Sequence, residues 1–178
     1  MPETVAQPPT PSRRWLEILK ICAVGRRPGR TLVRALVMAL LCYLIFGFAL
    51  LPVRVTGISM EPTYHDGAVN FCNRLAYLRH EPRRGNVVTI RYAGIHDMLM
   101  KRIIGLPGET VSFAHGRVFI NGAPLAEPYL KEPSHWNLPP MKLDAAQYFV
   151  VGDNRSMRWQ DHKFGKADRE RIIGKIIL

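Results

Sequence analysis

Hydrophobic positions along this chain change their period once, near residue 54. Upstream, Ala35 to Val53 form 19 residues without a charge (ALVMALLCYLIFGFALLPV). At 1.5 Å per residue a helix of that length covers the hydrocarbon core of a bilayer. A buried core helix is a poor alternative, because a small domain rarely hides an apolar cylinder that long. A cleavable leader would be shorter and followed by small residues, whereas Leu50-Leu51-Pro52-Val53-Arg54 follows here. The pattern predicts a permanent single-span anchor.

Downstream the period becomes two. Val53–Ile58, Ala68–Cys72, Asn86–Tyr92, Met98–Ile104, Thr110–Phe113, Arg117–Ile120, Tyr148–Val151 and Ile172–Leu178 are short apolar or alternating runs separated by turn residues. Asn121-Gly122 suits a type I′ hairpin, and Pro107-Gly108 a type II turn. Asn73–His80 predicts one or two helical turns. Residues 122–143, rich in proline, predict a surface excursion. The expected fold is mostly β: an antiparallel, partly closed β domain preceded by one transmembrane α-helix. It divides as 1–34 (basic segment), 35–53 (anchor) and 54–178 (β domain).

Charge orients this plan. Of the 178 residues, 25 are Lys or Arg and 14 Asp or Glu, a net charge of +11. Residues 1–34 carry seven of the cations (Arg13, Arg14, Lys20, Arg26, Arg27, Arg30, Arg34) against Glu3 and Glu17. Only Arg54 stands just beyond the apolar run. Because basic residues stay on the cytoplasmic side, the N-terminus is expected in the cytoplasm and residues 54–178 outside the inner membrane. Residues 1–12 are Pro-rich and polar, expected to be disordered; residues 13–24 could form an amphipathic helix on the inner surface. No basic stripe with interleaved aromatics points to nucleic acid. Cys22, Cys42 and Cys72 fall in three different segments, so no disulfide framework is expected, and no Cys/His cluster has metal spacing.

Two short segments carry candidate chemistry. Ser59, in Gly57-Ile58-Ser59-Met60-Glu61-Pro62-Thr63, follows a predicted strand in a turn-prone stretch. It lies six residues past Val53, at most about 20 Å of extended chain. A serine there is ordinarily a turn residue. Lys101 lies in Met98-Leu99-Met100-Lys101-Arg102-Ile103-Ile104, where strand alternation puts Leu99, Lys101 and Ile103 on one face. An edge lysine would reach water. A buried one would lose its proton more readily and become a general base for a serine hydroxyl. A third segment, Gly152-Asp153-Asn154-Arg155, follows an apolar strand and predicts a tight turn that holds the other two in place.

Together these segments resemble the type I signal peptidases. The matching stretches are Gly57–Thr63 (GISMEPT), Arg84–Val88 (RGNVV), Lys101–Glu109 (KRIIGLPGE) and Gly152–Arg155 (GDNR), in that order and behind one apolar span. The resemblance covers residues 35–178. It implies that Ser59 attacks the scissile carbonyl of a secretory precursor and that Lys101 takes the hydroxyl proton and later gives it to the leaving amine. It also implies an acyl-enzyme, shallow pockets built partly by Met60 for small residues at −1 and −3, and a substrate backbone added as a strand. Asp153, Arg155 and Ser156 would support the site. No metal, nucleotide or other cofactor is implied. The partners would be signal-peptide-bearing precursors and the lipid bilayer.

The chain also departs from that family pattern. A hydroxyl residue that stands two before the nucleophile in one branch is Gly57 here, leaving the oxyanion hole chiefly to the Ser59 N–H. After GDNR, the serine that bonds the catalytic lysine falls on Arg158, the usual aspartate on Gln160 and the arginine on His162. Arg158 would either depress the Lys101 pKa by repulsion or point outward. Ser156 is a candidate for the missing hydroxyl, and Asp161 for pairing with Arg102. Asn86 stands where the family often has aspartate. Other readings are a relative with a narrow precursor substrate and an inactive signal-peptide-binding domain. A self-cleaving repressor with the same dyad would need a DNA-binding domain.

Overall fold

The computed structural model describes residues 27–93, 97–131, 134–163 and 165–177. The expected disordered tail (1–12) and amphipathic helix (13–24) lie outside them. The chain divides into two compact units, Met1–Leu44 and Ile45–Leu178.

In the first unit, α1 (Pro28–Leu44) has proline at its start, where a missing N–H costs nothing. Helical structure continues as a π-type turn over Ile45–Ala49. The stretch Pro28–Ala49 has 22 residues, an 18-residue window of mean hydropathy 2.3 and no buried residue. Its length, about 33 Å, suffices to cross a bilayer. The apolar run therefore splits: its last residues leave the helix and form β1 (Leu50–Arg54).

The second unit holds two antiparallel sheets. The larger contains β1, β2 (Val69–Asn73), β3 (Val87–Ala93), β4 (Asp97–Gly105), β9 (Gln147–Val151), β10 (Gly165–Asp168) and β11 (Ile172–Ile177), in the order β1-β2-β11-β3-β4-β9-β10. The smaller contains β5 (Thr110–Ala114), β6 (Arg117–Ile120), β7 (Ala123–Pro124) and β8 (Leu138–Lys142), in the order β7-β6-β5-β8. The turns are those their residues demand. Asn121 and Gly122 take φ of 51° and 84° and close the β6–β7 hairpin. Gly108, with φ of 79°, lets Glu109 N–H reach the Leu106 carbonyl.

Period-two alternation in β4 divides its side chains between two cores. Ile103 joins Val88, Ile90, Tyr148, Val150 and Ile172. Ile104 joins Val111, Phe113, Trp136, Leu143, Phe149 and Val151, which fasten the small sheet to the large one. A third cluster, Val55, Met60, Tyr64, Cys72, Val87, Met100 and Ile176, roots the segment that carries Ser59.

Two local expectations fail. Residues 122–143 are more than a surface excursion, since they contain β7 and β8 and deliver Trp136 and Leu143 to the core. Pro139 and Pro140 disguise β8, and it tolerates them because it is an edge strand with both prolines exposed. Asn73–His80 makes turns rather than helix, with bonds such as Ala76 N–H to Asn73 O.

Phe149 is fully buried, with its ring 6.0 Å from Phe113, and its strand leads directly into Gly152–Arg155. Phe149→Ala is expected to cost about 3–5 kcal/mol in chemical denaturation followed by intrinsic fluorescence. A change under 1 kcal/mol would mean that this core does not hold the sheets together.

Candidate active site

Ser59 sits at the start of a turn between β1 and β2. Glu61 N–H bonds to Ile58 O and Tyr64 N–H to Met60 O, so the chain coils back on itself there. Met60, 1% exposed, anchors the turn in the core beside Met100. Gly57 precedes it with φ of 90°, a conformation that favours glycine, and its N–H donates to Asp66 Oδ1 at 2.8 Å. The Ser59 N–H has no hydrogen bond among the described residues.

Lys101 lies in β4 opposite Val88 and is 2% exposed. Its Nζ donates to Ser59 Oγ at 2.7 Å. Burial pushes this ammonium down to about 8; Asp153 pulls it up and Lys163 pushes it further down. Near neutral pH a minor but accessible fraction, about a tenth at pH 7, is therefore free amine, and the same contact then runs from hydroxyl to nitrogen.

The next residue, Arg102, faces the other way and is held charged. Its Nε and Nη2 donate to both oxygens of Asp153 at 2.8 and 2.5 Å, its Nη1 donates to Gly85 O, and its guanidinium lies 4.0 Å from the centre of the Tyr129 ring. Thr63 Oγ1 adds a hydrogen bond to Asp153 at 2.6 Å. Asp161, the sequence-based candidate for Arg102, instead accepts from Arg158 Nε at 2.8 Å. Arg102 is served by the closer, buried Asp153. Arg158 points outward, its side chain 80% exposed.

The Gly152–Arg155 loop ties these pieces together. Asn154 N–H donates to Ser59 O at 3.0 Å and its Nδ2 to Ile58 O at 3.1 Å. Arg155, 1% exposed, bonds Gly152 O and pairs with Glu127 at 2.6 Å. A Cβ built on Gly152 would lie 2.1 Å from Ser59 O and 2.6 Å from the His162 ring, so only glycine fits. The Ser156 hydroxyl is spent on Asn154 Oδ1 at 2.6 Å rather than on Lys101. His162 is buried, with its ring edge-on to Trp136. Burial, then the charges of Lys101 and Arg155, push its imidazole down to about 3, so it is neutral.

Thr63, Glu127 and Trp136 carry no role in the sequence reading, whereas Asn154 belongs to the Gly152–Arg155 turn expected to hold the other two segments, and it bonds to Ile58 and Ser59. Glu127 and Trp136 lie in the proline-rich stretch, where no periodicity marks them. Asn86 is a local brace, accepting from Tyr77 Oη and Arg83 N–H.

A cleft of about 550 Å³ opens over the pair, lined by Thr56–Ser59, Tyr92, Met98, Leu99, Lys101, Met157, Asp161 and Lys163. A small hollow of about 70 Å³ leads off it among Val53–Thr56, Ser59, Met60 and Met98–Lys101. Among the described residues no cluster of His, Cys, Asp and Glu could hold a metal. A hydroxyl touching a desolvated amine, beside a free backbone N–H and an open cleft, is equipped for acyl transfer.

Comparison with known proteins agrees with this chemistry. The chain is 32% identical over 174 residues to a probable signal peptidase I-2 of Synechocystis sp., covering 94% of this chain and 74% of that one. It is 36% identical over 157 residues to signal peptidase I T of Bacillus subtilis, covering 82% and 80%. It is 34% identical over 154 residues to signal peptidase I of Bacillus licheniformis, covering 80% and 83%. Residues 29–178 match the family model described as signal peptidase, peptidase S26. With nearly the whole described chain inside that match, the protein belongs to the signal peptidase family of serine peptidases.

Proposed function

We propose that this protein removes signal peptides from exported precursors by a Ser59–Lys101 dyad, and the 2.7 Å contact between the two side chains is the observation that carries the reading. Neutral Lys101 takes the Ser59 proton as Oγ attacks the scissile carbonyl. The oxyanion forms beside the Ser59 N–H, which has no other partner among the described residues. Lys101 returns the proton to the leaving amine, and the acyl-enzyme is then hydrolysed by water using the same base. A hollow of about 70 Å³ beside Ser59 and Met60 favours small side chains next to the cut bond. Asp153, Arg155 and Asn154 act as positioning residues; Gly57 sets the approach of the turn, and Ser156 braces Asn154.

The family is membrane-anchored, and the apolar stretch Pro28–Ala49 supplies the means. Five cations before it and two more in its first turns (Arg30, Arg34), against Arg54 alone just after it, favour a cytoplasmic N-terminus and an extracytoplasmic catalytic domain on a bacterial inner membrane. Protease added to the outer face of spheroplasts is expected to digest residues 54–178. Full protection there, with digestion only after lysis, would reverse the orientation.

Purified protein in detergent is expected to cut a synthetic precursor carrying Ala-x-Ala. Ser59→Ala should fall to background, and Lys101→Met should lose at least about 10²–10⁴ in rate. Lys101→Met should also raise the melting temperature, because it removes an amine that the fold keeps desolvated. Activity retained in either variant would end the dyad assignment.

Only the unprotonated amine can accept a proton, so kcat/KM is expected to rise with pH along a limb centred near 8. A limb centred near 10.5 would instead indicate a solvated lysine.

A further inference from the structure

Beside the cleft lies a second hollow of about 300 Å³, which shares Tyr92, Leu99, Lys101 and Lys163 with it. Arg91, Lys163, Lys166 and Arg171 stand around its rim, and among the described residues no carboxylate lines it. Of the nearby acids, Asp161 accepts from Arg158, outside the hollow, and Asp168 makes a loose ion pair with Arg171 at 3.9 Å, which leaves Arg91, Lys163 and Lys166 as the rim's uncompensated cations. Lys163 is held over the Tyr92 ring at 4.9 Å. Ile90, Leu99, Val150 and Ala167 make the remaining wall apolar, so an incoming anion would find cations together with partial shelter from water.

The chemistry assigns this hollow a place along the substrate. The attacked carbonyl must sit at Ser59, and the hollow of about 70 Å³ that touches Ser59 and Met60 takes the side chain on the acyl side. The leaving amine must sit at Lys101, which gives it a proton. The basic hollow touches Lys101 but neither Ser59 nor any residue of β1. It therefore adjoins the leaving side, where the first residues of the released mature chain pass. We infer that this hollow is a leaving-side subsite that selects precursors bearing a Glu or Asp within the first few residues after the cut. This rests on the peptidase reading above.

The test uses the full chain in detergent micelles and synthetic precursor peptides. A single Glu, Gln or Lys is moved through about the first five residues past the cut, the reach of an extended segment across such a hollow. At low ionic strength, Glu should exceed Lys in kcat/KM by about five- to tenfold at one or two positions, and the ratio should shrink toward one as salt rises. Reversing the rim with Lys166→Glu plus Arg171→Glu should invert the preference, read as the ratio of Glu to Lys peptide rates within the variant. Both side chains are exposed, so the fold should survive; the milder Arg91→Gln should weaken the preference without inverting it. Equal rates for Glu and Lys at every position, or a preference that survives the double reversal, would overturn the subsite. Anisotropy of the same labelled peptides on Ser59→Ala separates the two readings. Preferential binding of Glu peptides that are never cut by wild type would sink the peptidase assignment alone, whereas equal binding of all three would sink the subsite alone.

Discussion

An amine buried without a counter-ion is unfavourable while it carries a proton, and the active site is organised around that fact. Lys101 and Arg102 are consecutive, both buried, and treated in opposite ways because strand alternation sends them to opposite faces of β4. Arg102 keeps its charge, since a guanidinium stays protonated in proteins and Asp153 meets it with two hydrogen bonds. Lys101 receives a hydroxyl and an apolar surround, and burial pushes it down to about 8, which brings its free amine within reach near neutral pH. The field of Asp153 works against this. Arg102 and Thr63, by binding the carboxylate directly, absorb much of that opposition.

Holding the serine in place is a separate task, and the loop after β9 performs it. Two hydrogen bonds from Asn154 fix the carbonyls of Ile58 and Ser59. Those bonds need the loop to approach closely, which Gly152 permits because no Cβ intervenes. Arg155 then fastens the loop to Glu127, whose Oε1 also accepts from Tyr129, and Tyr129 lies under Arg102. Nucleophile, base and brace thus share one buried network that spans residues 59 to 155. In such a network, removing one partner strands the charge of another, so its members act jointly.

Much of this was legible in the sequence, for reasons that can be named. Alternation in Met98–Ile104 places Lys101 beside Leu99 and Ile103 and away from Arg102, as β4 does. Asn121-Gly122 and Pro107-Gly108 identified their turns, because backbone geometry leaves few other residues able to make them. What escaped lay where local pattern is silent. β8 carries two prolines on an edge, and β10 (GKAD) offers only Ala167 to a core. The end of the helix at Ala49 was hidden because apolarity continues into β1, where it serves a sheet instead. Arg102 was expected to pair with Asp161, yet its partner is Asp153, expected only as a support, because pairing across 51 residues is decided by tertiary geometry.

The unusual segment after GDNR shows how the site tolerates its own departures. Arg158 replaces a hydroxyl residue, yet it turns outward and is matched by Asp161, so it brings little net field to the base. His162 stands where a cation is expected, and its burial beside Lys101 and Arg155 leaves it neutral. Both changes avoid placing a new charge against Lys101. Among the described residues, Ser59 is the one hydrogen-bond partner of the Lys101 amine. Orientation of the base then falls to packing, to the stem of Lys101 against its neighbours in β3 and β4. An amine aimed by packing and bonded to a single hydroxyl has its reactivity directed at Ser59.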